Sequence, residues 1–96
     1  MTRPLLYAQR PGLDSRQVDD HVFVITASTI VHLNPVAAVI WTALEEPVSR
    51  GDLLALLHHL WPTVAPEIVA RDLRQALKHL LDTGLARRCK TGTGRR

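Results

Sequence analysis

Five histidines, one cysteine and a few serines are the residues of this chain whose types could do chemistry. His21, His32, His58, His59 and His79 invite a metal, since imidazole is a common metal ligand. None stands at a chelating spacing, because the chain has no C-x-x-C, H-x-x-x-H or H-E-x-x-H. His58 and His59 are neighbours in a helical stretch and point about 100° apart, so they do not readily share an ion. Covalent catalysis needs a nucleophile held beside a base. Ser15 and Ser49 read instead as a turn residue and a helix cap, and Cys89 lies in a tail rich in glycine and basic residues. The glycines stand apart and form no phosphate-cradling loop. These residues indicate no catalytic group, no metal ligand and no cofactor, which directs attention to binding surfaces.

The elements that would build such a surface turn on His32-Leu33-Asn34-Pro35. Asn34 is a strong helix N-cap, and Pro35 suits the first helical position because its missing N–H would have no intrahelical partner there. Before this point the chain reads as three short strands. Asp14–Val18 precedes the turn pair Asp19-Asp20, the strand Val22–Thr26 is apolar on both faces from Val22 to Ile25, and Ala27-Ser28 leads into Thr29–Leu33. Tight turns make this an antiparallel meander with its last strand at an edge. After it come three helices. The first runs from Asn34 to about Glu45, with Val36, Val39, Ile40, Ala43 and Leu44 at spacings of three and four. Ser49 opens the second, whose stripe is Leu53, Leu56, Leu57 and Leu60. The third begins near Pro66 and buries Val69, Leu73, Ala76, Leu77 and Leu80, with Gly84 as a left-handed stop. The expected fold is α+β, a small three-stranded antiparallel sheet followed by three helices, winged helix-turn-helix-like. Residues 1–12, broken by Pro4, Pro11 and Gly12, are expected as a loosely attached arm, residues 13–88 as the domain, and residues 89–96 as a flexible basic tail.

Ninety-six residues with 46% hydrophobic and 22% charged content describe one folded domain. The single cysteine cannot close an internal disulfide and fits a reducing cytoplasm. No apolar run approaches the roughly 18 residues that span a bilayer, so no membrane is implied. The net charge of +3 rests heavily on the last ten residues, a tail that suits nucleic acid or simply solvation.

Leu33-Asn34-Pro35, Ala37-Ala38, Ile40-Trp41 and Leu44 together resemble the LNxxAxxIWxxL pattern of PqqD-like proteins. Asp72-Leu73, Leu77, Leu80 and Gly84-Leu85-Ala86 resemble that family's closing DVxxFLxxLxxxGLV helix, so the likeness spans roughly residues 13–86. Ser28 stands where many members carry glycine, and Ile30 or Val31 replaces a frequent tyrosine. The resemblance implies a non-catalytic peptide-binding module, the recognition element for the leader of a ribosomally made precursor peptide. Such proteins present the leader to a separate modifying enzyme, often a radical-SAM protein. It further implies that the leader adds as a strand to the third strand, beside the third helix.

The residues themselves support part of this. Thr29, Ile30, Val31, His32 and Leu33 form a candidate open edge that a peptide can extend. Outward and inward groups alternate along it, so one of Ile30 and Val31 points its N–H to the open side. On the third helix, Arg71, Arg74, Gln75 and Lys78 are the candidate peptide contacts, and the basic set Arg71, Arg74 and Lys78 would favour acidic side chains on the guest. The alternatives are an edge that is covered or paired in a homodimer, and a helix face that is merely solvated. Winged-helix DNA binding would also suit the basic third helix. Against it, Asp72 interrupts the basic set, and a wing after that helix would have to come from Leu85–Cys89.

Overall fold

The computed structural model describes residues 5–90. In chain order the elements are β1 (Leu5–Gln9), β2 (Asp14–Val18), β3 (His21–Ile25), β4 (Ile30–Leu33), α1 (Pro35–Ala43), β5 (Val48–Ser49), α2 (Arg50–Leu60), α3 (Pro66–Asp82) and β6 (Ala86–Lys90). The fold is α+β. The antiparallel sheet β2-β3-β4 precedes three helices, and a second antiparallel sheet, β5-β1-β6, is added to it.

Local chemistry explains the first sheet and the helix starts. Val18 opposes His21 across a two-residue turn, where Asp19 takes a positive φ of 56°, a conformation that a short polar side chain tolerates. In β3 and β4 the alternate residues Val22, Val24, Val31 and Leu33 share one face, and Val24 and Leu33 are fully buried on it. The Asn34 carboxamide oxygen accepts from the Ala37 N–H at 2.8 Å and caps α1. Ser49 Oγ accepts from the Asp52 N–H at 3.1 Å and caps α2. On α3 the buried residues are Val69, Leu73, Ala76, Leu77 and Leu80. Its end is closed twice, by Gly84 N–H to the Leu81 carbonyl at 3.2 Å and by Leu85 N–H to the Leu80 carbonyl at 2.9 Å. This 6→1 and 5→2 pattern needs a left-handed residue, and Gly84 supplies φ +76°. Leu85 then folds under the helix into the core.

The second sheet corrects two expectations. Leu5–Gln9 is not part of a loose arm but the central strand between β5 and β6, with Tyr7 opposite Val48 on one side and Arg88 on the other. Cys89 and Lys90, assigned above to the tail, belong to β6 and pair with Leu6 and Leu5. Residues 1–4 of the expected arm and 91–96 of the expected tail lie outside the described residues. β1 is fixed to the end of α1, where the last carbonyls can accept donors from outside the helix. Gln9 donates its backbone N–H to the Leu44 carbonyl at 2.9 Å and its side-chain Nε2–H to the Trp41 carbonyl at 2.7 Å. Trp41 is buried and donates its indole N–H to the Leu85 carbonyl at 3.1 Å.

Leu60 also departs from its expected core place. It is 45% exposed and is the last residue of α2, where the chain leaves for α3. Among the described residues no helix is long and apolar enough to cross a membrane.

Candidate functional site

β4 is the outer strand of its sheet, paired with β3 on one side and with no described strand on the other. Which of its groups face outward follows from one hydrogen bond. Thr26 donates its N–H to the Thr29 carbonyl at 2.8 Å, which makes these two opposed residues a bonded pair. Bonded and unbonded pairs alternate in an antiparallel ladder. With Val24 opposite Val31 and Val22 opposite Leu33, Val31 and Leu33 direct their backbone groups inward, while Ile30 and His32 direct theirs to the open edge. Thr29 is not in the strand, because the turn occupies its backbone: its N–H donates to Thr26 Oγ1 at 3.0 Å and its carbonyl accepts from Thr26.

The side chains of Ile30 and His32 lie on the outer face of the sheet. Ile30 is 64% exposed. His32 Nε2 and His21 Nδ1 are 2.9 Å apart, one imidazole donating to the other, and the His32 ring centroid lies 5.0 Å from that of Phe23. Among the described residues no group of three or more His, Cys, Asp and Glu side chains is placed to hold a metal ion.

Past Leu33 the edge leads to a groove of about 220 Å³, where Asn34, Val36 and Ala37 of the α1 start face Asp72, Gln75 and His79 of α3. Val36 and Asp72 are shared with an adjoining apolar hollow of about 160 Å³ lined by Leu57, Trp61 and Val64. This hollow was not read from the sequence. Its only local trace is the half-buried Trp61 at the end of α2, beside Val64 in the connection to α3.

The helix residues expected beside the edge are separated by the structure. Gln75 lines the groove with Asn34. Arg74 and Lys78 line another cavity, together with Tyr7 of β1, Arg50 of α2 and Arg88 of β6. Arg71 lies on the solvent side and reaches Asp72 at 3.4 Å. The physical reason is helical phase, since successive residues turn about 100° and place Arg74 on one flank of α3 with Gln75, His79 and Asp72 toward the other. The groove wall thus carries a carboxylate in place of the expected basic set.

Comparison with known proteins follows the same outline. The family model described as coenzyme PQQ synthesis protein D (PqqD) matches residues 12–86. No curated protein matches the chain by sequence. Among solved structures, the chain is similar in fold to TbiB1 in complex with the TbiA(beta) leader peptide, with a TM-score of 0.69 and 24% identity over 92% of this chain and 99% of that one.

Proposed function

Since this chain belongs to the PqqD family, we propose that it is a non-catalytic module that holds the leader of a precursor peptide and presents it to a separate modifying enzyme. The observation that carries this reading is the open edge of β4, with the outward N–H groups of Ile30 and His32 running into the groove at Asn34. An extended peptide satisfies those groups by adding a strand, and its side chains seat on the groove walls. The family resemblance supports a leader as that peptide, and the named complex of the TbiB1 structure points the same way. Val36 and Trp61, on the wall of the adjoining hollow, suit an apolar guest side chain. Asp72 and His79 suit a polar or basic one.

The test is fluorescence anisotropy with a labelled leader, taken from any short precursor-peptide reading frame that sequencing finds beside this gene. The reading expects saturable binding that Ile30→Pro weakens and that changes little with salt. The DNA-binding alternative gains one observation, the strand β6 directly after α3 with Arg87 and Arg88 on it. It expects tight, steeply salt-dependent binding of duplex DNA, unaffected by Ile30→Pro.

A further inference from the structure

On the flank of α3 away from the groove, Tyr7, Arg50, Arg74, Lys78 and Arg88 surround a cavity of about 330 Å³ with Asp82 as the one carboxylate. Four separate elements contribute a residue to it, namely β1, the start of α2, α3 and β6. Lys78 is paired with Asp82 at 2.6 Å. Among the described residues Arg50, Arg74 and Arg88 have no carboxylate within ion-pair distance. Leu77 and Leu81 supply an apolar floor beneath these cations.

We propose that this cavity is a second docking site, which takes an acidic segment of a partner protein while a peptide occupies the groove on the other flank of α3. The charge complementarity is specific in form. A lone small anion would meet two or three cations in open water, where such contacts are weak. A segment carrying several carboxylates engages cations from three elements, α2, α3 and β6, and the aliphatic stems of glutamate side chains cover the leucine floor. Duplex DNA fits less well, because the cations ring a concavity and Asp82 stands among them. A module that presents a peptide needs a surface for its partner that the peptide leaves free, and α3 separates the two here. That the partner acts on the held peptide rests on the peptide-recognition reading, whereas the acidic chemistry of the site does not.

The experiment uses the full chain and a fluorescein-labelled peptide of alternating glutamate and glycine, with its glutamine analogue as control. The double variant Arg74→Glu/Arg88→Glu is compared with Arg10→Glu/Arg16→Glu, which changes the net charge equally outside the cavity. All four arginines are exposed, so both variants should keep their fold, which circular dichroism verifies. The expected result is binding about tenfold weaker for the cavity variant and within about twofold of wild type for the control. Ile30→Pro and saturating leader should leave acidic-peptide binding unchanged. Equal weakening by both pairs would reduce the effect to general charge attraction and overturn the site. Displacement of the acidic peptide by leader, or tighter binding of duplex DNA through Arg74 and Arg88, would also overturn it. If no leader binds but the cavity dependence holds, the docking site stands and the peptide-recognition reading falls.

Discussion

Replacing Ile30 and Val31 by proline, one at a time, separates the two sides of β4. Val31 donates its N–H inward to the β3 strand, opposite the fully buried Val24. Proline there removes that donor and leaves a β3 carbonyl unpaired, at about 1–3 kcal/mol. Lost packing of the half-buried valine adds roughly 1 kcal/mol. At about 4–8 °C per kcal/mol for a domain of this size, the Tm should fall by roughly 10–30 °C. Ile30 has no internal partner for its N–H and is 64% exposed, so Ile30→Pro should cost about 1 kcal/mol or less. The peptide, however, loses a strand hydrogen bond and keeps an unmatched carbonyl, which weakens binding by about tenfold. Thermal melts by circular dichroism and anisotropy titrations with the leader measure both effects. If Ile30→Pro unfolds the protein and Val31→Pro does not, the assignment of inward and outward groups is inverted. If both variants fold and bind leader like wild type, strand addition at β4 is refuted.

Three further perturbations test the frame around the site. Asn34→Ala removes the α1 cap and should lower stability by about 1 kcal/mol; an unchanged urea midpoint would contradict the cap. Leu77→Ala opens the buried side of α3 and should cost roughly 2–5 kcal/mol, so a near-neutral urea midpoint would mean that the helix is packed differently. Deleting residues 1–9 takes out the central strand of β5-β1-β6 and should abolish cooperative thermal unfolding, whereas an intact transition would show that β1 is dispensable.

Much of the fold was legible because its determinants are local. Asn34-Pro35, Ser49 and Gly84 mark helix ends by their own backbone chemistry, and the α3 stripe appears at helical spacing. The second sheet was not legible, since it joins segments distant in sequence: β1 pairs with Val48-Ser49 and with Ala86–Lys90. The first of these partners is hidden in a helix cap and the second behind a helix stop. For the site, alternation said that one of two neighbouring residues faces outward, but the phase required the Thr26–Thr29 bond. The basic residues of α3 were visible as a set outside the core stripe. Their division between two flanks depends on what packs beside the helix, and Tyr7 and Arg88 come from strands that the sequence hid.

Backbone amide exchange, with and without the leader, tests the central claim most directly. In the free protein the amides of Ile30 and His32 should exchange fast and those of Val31 and Leu33 slowly. Leader binding by strand addition should slow Ile30 and His32 selectively, with smaller changes along Gln75 and His79. Unchanged exchange at Ile30 and His32 under saturating leader, or protection confined to Arg74, Lys78 and Arg88, would contradict it.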